Sequence, residues 1–473
     1  MKKKFLHTIL SLVCVLACAF GLVACGGNKP HAHEWAQSWE EDDTHHWHNC
    51  AASDCDITDN SQKEGYAEHD FSNGDCVCGR KPNYTVGLQY GLSYEFDVYT
   101  VEGIGTATDN DIVIPSEYKG KPVTKIKERA FENNTNITSI KIPDSITVIE
   151  RETFKNCSNA SSIELPAGIT SIGESAFEGC SSLTSITIPN GVTKIERSAF
   201  KGCGKISSIV LPNSLTSIKE SAFEGCGKIP NITIPNGVTD IRVRAFADCI
   251  GLESVSFLNN DKIQYLSDSM FRGCSNLSNI TLPDGMTRIG NGVFLGCSKL
   301  ASITIPDSVT SLGNSVFEGC SSLTSITIPS GVKILYFYAF SGCTSLTSLI
   351  IHSDNDDFLI HDETVFEGCP IETATIPSRV CKFVNTSALK TVVITNGERI
   401  YYQALKDCRS LTSLTIPASV QYIDEEALFN CTNLRNVFFK GTQEQWNFIQ
   451  VGSNWNYGAH FIVHCTDGDI DYN

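Results

Sequence analysis

Residues 183–203 read LTSITIPNGVTKIERSAFKGC, and this stretch decides the fold. Residues 185–188 alternate polar and apolar side chains and are rich in β-branched types, a pattern that predicts a strand. Pro189 ends this strand because proline has no N–H to donate to a neighbouring strand. Asn190-Gly191 then supplies a turn. The first half of the unit is therefore a short strand followed by a tight bend.

The second half of the unit returns the chain to its starting point. A second short element begins at Val192, and Ala199-Phe200 is predicted to pack a helical or 3₁₀ turn inward before Gly202 reverses the chain. The predicted inward side chains are Leu183, Ile186, Ile188, Val192, Ile195, Ala199, Phe200 and Cys203. So few apolar side chains cannot close a core within one coil, and the unit must stack on copies of itself.

Copies of the unit recur at a fixed spacing, which is the signature of a repeat protein. The cysteine that ends each unit recurs every 23 residues, and we call these cysteines the cysteine column. The spacing holds within two runs, Cys157, Cys180, Cys203, Cys226, Cys249 and Cys274, Cys297, Cys320, Cys343. A phenylalanine precedes each of these cysteines by three residues, as Phe200 precedes Cys203. The sequence predicts a β-rich repeat solenoid with short helical or 3₁₀ turns over residues 123–440.

The repeat unit also identifies a family. It is close to LxxIxLPxxVTxIgxxAFxgC, and over about residues 110–440 it resembles the BspA-like leucine-rich repeat family of bacterial cell-surface lipoproteins. Residues 94–122 are similar to the family's entry segment, and FFKGTQEQWNFIQVG at residues 438–452 is similar to its closing segment. We therefore expect an N-terminal cap over residues 83–122 and a C-terminal cap over residues 441–473, which cover the outermost coils.

The cysteine column predicts a ladder of buried thiols. Stacked coils would bring neighbouring cysteines within disulfide distance, but their side chains would run parallel, which suits a disulfide badly. Cysteine also serves as a small buried hydrophobe, and burial makes a thiol unreactive. Cys381 and Cys465 lie outside the column spacing and have no assigned place.

The charge balance excludes one class of partner. The chain has 473 residues, with 36 Lys and Arg against 53 Asp and Glu, and a formal net charge of −17. Binding to a phosphate backbone needs clustered basic residues. We therefore expect no nucleic-acid partner, and the acidity fits a soluble, self-repelling surface.

The N-terminus carries the pattern of an export signal. Residues 2–4 are lysines, and an apolar run follows them, as in a secretory signal peptide. The run ends in Leu-Val-Ala-Cys at Cys25, which resembles the bacterial lipoprotein signal whose cysteine is lipidated after cleavage. The resemblance implies a signal peptide over residues 1–24, lipidation of Cys25 and a tether over residues 25–30. The alternative is a plain transmembrane anchor, although a span needs about 20 apolar residues, more than this run offers.

Residues 31–82 form a segment rich in Cys, His and Trp that is too short and polar to be stabilised by its own core. Either a tetrahedral Zn site or two disulfides, which export favours, would stabilise it. The candidate metal ligands are Cys50, Cys55, Cys76, Cys78 and His69. The segment resembles small zinc-ribbon-like modules that precede repeats in bacterial surface proteins, with the pattern HWHxCxxC and CxxCG. Here one Cys pair is two residues longer and the other is one residue shorter.

The solvent-facing strand residues are mostly small and neutral. Ser185 and Thr187, with their equivalents in other coils, should point to the concave side and give it a continuous surface of hydroxyl and amide groups. Repeat duplication would copy residues that suit a strand, and this explains the uniform surface. The alternative is that the surface binds an extended protein or glycan. A specific site is expected where the repeat breaks. The candidate binding residues there are Tyr336, Tyr338, Asp354, Asp356, Asp357 and His361.

Two further features of the sequence bear on function: the acidic run at the break and the absence of catalytic motifs. Residues 354–357 lack the spacing and glycine of a calcium loop, and a solvated acidic loop is the simpler explanation. The sequence has no GxSxG, HExxH, GxGxxG or phosphate-binding loop, so no enzyme is expected. The family resemblance implies a lipid-anchored adhesin on the extracellular face of the bacterial membrane that binds host or neighbouring-cell proteins. A glycan- or mucin-binding module and a structural spacer are the alternatives.

Overall fold

A computed structural model describes residues 35–41, 45–50, 64–68, 83–257, 261–353, 358–383 and 387–472. The chain divides into two compact units, residues 1–86 and 87–473. Within the described ranges, each helix is too short or too polar to cross a bilayer. The signal peptide, Cys25 and the tether lie outside the described residues, so these assignments stay predictions.

The first unit holds a three-stranded antiparallel sheet. Its strands are β1 (Trp35–Glu41), β2 (His45–Cys50) and β3 (Glu64–Glu68), in the order β1-β2-β3. Trp35 lies opposite Cys50 in the pairing of β1 with β2. The other four candidate metal ligands of this segment lie outside the described residues. The choice between zinc and disulfides therefore remains a prediction.

The second unit is a solenoid of short strands. Its strands up to Leu312 are β4 (Gln89–Ser93), β5 (Val98–Gly103), β6 (Asp111–Val113), β7 (Glu117–Tyr118), β8 (Lys121–Ile126), β9 (Ser139–Lys141), β10 (Val148–Ile149), β11 (Ser162–Glu164), β12 (Ser171–Ile172), β13 (Lys194–Ile195), β14 (Ser217–Ile218), β15 (Asn231–Thr233), β16 (Asp240–Ile241), β17 (Ser254–Ser256), β18 (Tyr265–Leu266), β19 (Asn279–Ile280), β20 (Arg288–Ile289) and β21 (Ser311–Leu312). The remaining strands are β22 (Ser325–Ile328), β23 (Ile334–Leu335), β24 (Ser348–Ile351), β25 (Leu359–Ile360), β26 (Thr373–Ile376), β27 (Thr391–Ile394), β28 (Arg399–Ile400), β29 (Ser413–Ile416), β30 (Tyr422–Ile423), β31 (Asn436–Phe439), β32 (Gln450–Val451), β33 (Phe461–Cys465) and β34 (Gly468–Tyr472).

Regular coils contribute to two stacks of parallel strands. In the first sheet, Ser162 of β11 lies opposite Ser139 of β9. Further along the chain β22, β24, β26, β27, β29, β31 and β33 continue this stack before β34 closes it antiparallel. In the second sheet, Ile195 of β13 lies opposite Ile218 of β14. Each of these pairs joins residues 23 positions apart. The repeat solenoid predicted from this spacing is confirmed.

A third set of hydrogen bonds joins the coils at the turn that precedes the cysteine. The N–H of Phe200 donates to the carbonyl of Ala222 at 2.9 Å, and the N–H of Gly202 donates to that of Glu224 at 2.7 Å. Ser198 adopts a left-handed backbone with φ of 53°, so alternate N–H groups point to the next coil rather than along a helix. The helical or 3₁₀ turn predicted at Ala199-Phe200 is present as a tight turn, in which the N–H of Lys201 donates to the carbonyl of Ser198 at 3.1 Å, and it does not extend into a regular helix.

True helices occur only where the repeat changes. Within the described part of this unit, they are two 3₁₀ helices, Glu363–Phe366 and Ser378–Phe383, and one α-helix, Gln443–Asn447. The α-helix begins with a capping box in which the Thr442 side chain accepts from the N–H of Gln445 and the Gln445 side chain accepts from the N–H of Thr442. Its buried Trp446 packs against Phe439 at 5.3 Å between ring centroids.

The glycine before each cysteine holds a left-handed backbone that other residue types tolerate poorly. Gly202 has φ of 73°, and a Cβ placed there would meet Gly179 at an ordinary 3.7 Å. Space is therefore available, and the conformation alone selects the residue. Where glycine is absent, this column carries Asn or Asp, as at Asn156 (φ 59°) and Asp248 (φ 57°), the types that tolerate this region best.

We expect Gly202→Val to lower the free energy of unfolding by about 1–2 kcal/mol, because a β-branched side chain opposes a left-handed backbone. Gly202→Asn should cost much less, since asparagine occupies the same position in other coils. Urea titrations of both variants measure the difference. An equal loss in the two variants would show that side-chain volume, rather than backbone conformation, selects glycine here.

The core contains a stack of phenylalanine rings from successive coils between residues 131 and 366. The stack comprises Phe131, Phe154, Phe177, Phe200, Phe223, Phe246, Phe271, Phe294, Phe317, Phe340 and Phe366. Neighbouring rings lie 5.2–6.0 Å apart between centroids and 1–17° from parallel, an offset stack. Every inward side chain predicted for residues 183–203 is buried.

The cysteines form the predicted ladder of buried free thiols. The Cys203 Sγ donates to the carbonyl of Phe177 in the preceding coil at 3.1 Å, and the same bond recurs along the column. Burial raises the pKa of the Cys203 thiol to about 12. Cys381, which had no assigned place, is also buried. Burial, and then the neighbouring thiols of Cys431 and Cys381, raise the pKa of Cys408, so Cys381 lies beside the ladder in the shortened coil.

Candidate ligand-binding site

The outer face of the first sheet is exposed, as predicted, and chemically uniform. Ser185 and Thr187 are both exposed, and their equivalents in the other coils are exposed or half-buried. Many neighbouring hydroxyls have structural partners: the Thr184 Oγ1 donates to the carbonyl of Ser161 at 3.2 Å, and this bond recurs at Ser207. Few large side chains interrupt the face, of which Val210 is the most exposed at 73%. The face by itself therefore defines no single binding point.

An aromatic patch lies at the predicted break in the repeat. We give this name to Tyr336, Phe337, Tyr338 and His361. The three consecutive aromatic side chains are 36–42% exposed, and the His361 ring lies against Phe337 at 3.7 Å between centroids. The pairing of β23 with β25 positions the patch, because the N–H of His361 donates to the carbonyl of Leu335 at 3.0 Å.

Tyr338 is held in an unfavourable conformation. It takes the left-handed turn position that Ser315 occupies one coil earlier, with φ of 55°. Its N–H donates to the Thr364 Oγ1 at 3.4 Å. The repeat imposes this backbone, because the same position also has a positive φ at Arg244 and Gln403. Among the described residues of this column, Tyr338 is the one aromatic side chain.

The structure brings only some of the predicted binding residues together. Tyr336, Tyr338 and His361 share the aromatic patch, whereas Asp354, Asp356 and Asp357 lie outside the described residues. No group of three His, Cys, Asp or Glu side chains suited to a metal occurs within the described ranges. The role expected of the acidic run therefore stays a prediction.

A notch beside the patch has a clear structural origin. The interval from Cys369 to Cys408 is 39 residues, so one coil is shorter than the repeat. The first sheet continues through this coil as β26 and β27, but the second sheet stops at β25 and resumes at β28. The 3₁₀ helix Ser378–Phe383 contacts both of these strands and stands in place of the missing one. A cavity of about 440 Å³ opens there.

The notch combines an apolar wall with polar groups. Residues 358–360 form the wall, and Arg379, Tyr401, Tyr402 and Asp424 complete the lining. The side chains of Leu359 and Tyr402 are 49% and 55% exposed and offer open apolar and aromatic surface.

Two arginines order the polar side of the notch. The Arg379 guanidinium lies 5.8 Å from the centroid of the Tyr401 ring. Arg399 binds the Asp424 carboxylate at 2.6 Å between Nη1 and Oδ1 and lies 4.6 Å from the centroid of Tyr422. Asp424 is therefore an oriented acceptor at the edge of the cavity.

Sequence reasoning missed Arg379, Tyr401, Tyr402 and Asp424. One signal was available, since the 39-residue interval showed that a coil was shortened. The sequence did not show which element was lost, because the range 371–389 still contains the alternating apolar residues of a first-sheet strand. Only the loss of the second-sheet strand brings these side chains around one cavity.

The chain is similar to several proteins of known structure. A leucine-rich repeat protein from Bacteroides ovatus is 26% identical, covering 81% of this chain and all of that one, with a TM-score of 0.47. A leucine rich cell surface protein from Faecalibacterium prausnitzii is 26% identical over 77% of this chain and 96% of that one, with a TM-score of 0.43. The pneumococcal vaccine antigen PcpA is 20% identical over 80% of this chain and 98% of that one, with a TM-score of 0.45. A comparison with curated proteins found no match.

The repeat itself matches a family model. Six copies of the BspA type leucine rich repeat region cover residues 124–253, 193–323, 264–387 and 363–449. These overlapping matches span well over half of the 473 residues. They include every coil that forms the aromatic patch and the notch. The chain therefore belongs to the BspA type leucine rich repeat family.

Proposed function

We propose that the protein is a non-enzymatic adhesin that binds proteins on host or neighbouring cells. Membership of the BspA type family supports a protein-binding role at the cell surface in general. The export signal and Cys25 support attachment by lipid to the extracellular face of the bacterial membrane. Several acyl chains on one residue would hold the protein stably.

The aromatic patch is the observation that carries this proposal. Binding energy at protein interfaces concentrates in a few side chains, with Tyr, Trp and Arg enriched. Other exposed tyrosines of the described solenoid, such as Tyr265 and Tyr457, have no exposed aromatic residue beside them in the sequence, whereas Tyr336, Phe337 and Tyr338 are consecutive and exposed. His361 supports Phe337 from the next coil, so the patch is ordered before a ligand arrives and loses little entropy on binding.

We expect the purified chain to bind saturably to at least one member of an array of matrix glycoproteins and cell-surface proteins. Tyr336→Ala combined with Phe337→Ala should weaken that binding by about 30-fold or more, which corresponds to at least ~2 kcal/mol at a hot spot. Tyr265→Ala is the matched control, because Tyr265 is a 41% exposed aromatic residue on the second sheet, in a coil that contributes no residue to the aromatic patch.

The controls separate three accounts of the molecule. Equal weakening by the Tyr265 and Tyr336 variants would indicate a general loss of structure rather than a local site. Binding that survives both substitutions would place the contact elsewhere and reject the patch. An absence of binding to every protein on the array would favour a structural spacer and contradict the adhesin proposal as stated.

A further inference from the structure

The notch presents a hydrogen-bond acceptor and a hydrogen-bond donor in one small cavity. The Asp424 carboxylate accepts and is already held by Arg399. The Arg379 guanidinium carries several N–H donors and no acceptor. A ligand group that both donates and accepts can contact the two at once. Adjacent hydroxyl groups have this property, whereas a carboxylate or an ammonium group would meet a like charge.

The remaining lining suits the other face of such a ligand. Leu359 and Tyr402 expose aliphatic and aromatic surface next to the polar groups. An aromatic ring carries negative charge on its face and positive charge on its edge, so it attracts the weakly positive C–H groups of a sugar ring. A sugar is the common biological molecule with adjacent hydroxyls on one side and a C–H face on the other.

The size of the notch agrees with this chemistry. Its volume of about 440 Å³ lies in the range of roughly 300–1,000 Å³ typical of small-molecule sites. The lining also holds its shape without a ligand. The Arg399–Asp424 ion pair and the contact of Arg379 with the Tyr401 ring fix the polar side chains. A preformed site of this size accommodates one or two sugar rings rather than an extended chain.

We propose that the notch is a carbohydrate subsite for a neutral sugar, in which Asp424 and Arg379 bind adjacent hydroxyls and Tyr402 packs against the ring face. This inference goes beyond the protein-binding function and does not rest on it. The sugar site lies on the second-sheet side of the shortened coil, and the aromatic patch lies on the preceding coils.

The test is calorimetric titration of the full chain, in mild detergent, with the methyl glycosides of glucose, galactose, mannose and N-acetylglucosamine. At least one should bind saturably, and Tyr402→Ala should weaken it about 10-fold, as expected for a lost aromatic contact. Asp424→Asn keeps the size of the side chain but removes the charged acceptor, and it should weaken the same sugar by a comparable factor. Tyr265→Ala, the matched control, should leave the affinity unchanged.

Two outcomes would overturn the proposal. These are no saturable binding by any of the four glycosides, or unchanged affinity in both notch variants. Circular dichroism and thermal unfolding confirm that each variant is folded before it is titrated. Tyr336→Ala with Phe337→Ala should not change sugar affinity, so a failure of the protein-binding proposal is distinguishable from a failure of this one.

Discussion

Replacing Phe223 by alanine should lower the free energy of unfolding by about 3–5 kcal/mol, as full truncation of a buried aromatic ring does. Phe223 is fully buried in the middle of the phenylalanine stack and lies 5.4 Å from the ring centroids of both Phe200 and Phe246. Its loss removes two ring contacts and leaves a cavity between coils that cannot collapse, since hydrogen bonds fix their spacing. Urea unfolding followed by circular dichroism measures the effect.

Phe223→Leu is the matched control and should cost much less. Leu405 and Leu428 already occupy the position of the phenylalanine in two later coils, where both are fully buried. A leucine at residue 223 would therefore keep most of the apolar volume and lose mainly the ring contacts. If alanine and leucine at this position had the same small effect, the stack would not be a principal source of stability.

The folded protein should become unstable at alkaline pH because its thiols resist ionisation. Burial raises the pKa of Cys157, Cys203, Cys249, Cys320 and Cys431 to about 12. In the unfolded chain these thiols ionise near pH 8.5. Between about pH 9 and pH 12 the unfolded state has lost protons that the folded state keeps. The free energy of unfolding should therefore fall as pH rises, by about 1.4 kcal/mol per pH unit for each such thiol.

Cys203→Ala isolates the contribution of one thiol. Lysines and tyrosines also titrate in this range, but the substitution leaves them unchanged. The variant should therefore lose stability with pH less steeply than the parent, by about 1.4 kcal/mol per pH unit. Urea titrations at about pH 8 and pH 10.5 give both slopes. Identical slopes would show that the Cys203 thiol ionises as easily in the folded protein as in the unfolded chain.

Much of the fold is encoded in the spacing of a few residue types. The alternation over residues 185–188 and the proline that follows predict a strand and its end. In this coil the strand is reduced to isolated bridges from Ser185 to Ser162 and Ser208, whereas the equivalent residues Ser325–Ile328 form the full strand β22. Phe200 and Cys203 are buried as expected. The left-handed turn at Ser198 could not be predicted in the same way. Serine has no intrinsic preference for that backbone, and the hydrogen bonds from Phe200 and Gly202 to the next coil hold the turn in place.

The candidate site was only partly predictable for a related reason. Tyr336 and His361 stand out in the sequence because they interrupt a regular pattern, and the structure places them together in the aromatic patch. Arg379 and Tyr402 are 23 residues apart, which is an ordinary repeat spacing. They line one cavity only because a 3₁₀ helix replaces a strand between β25 and β28. A missing element leaves no local residue pattern to detect.

The direct pairing of equivalent residues has a consequence for how such a chain can change over generations. Lys194 lies opposite Ser217, and Ser139 lies opposite Ser162. Recombination between equivalent positions therefore removes or duplicates one whole coil and returns each remaining side chain to similar surroundings. Each event alters the length of the array by about 4.8 Å. When it falls before residue 300, it moves the patch and the notch farther from or nearer to the first coil without changing either site.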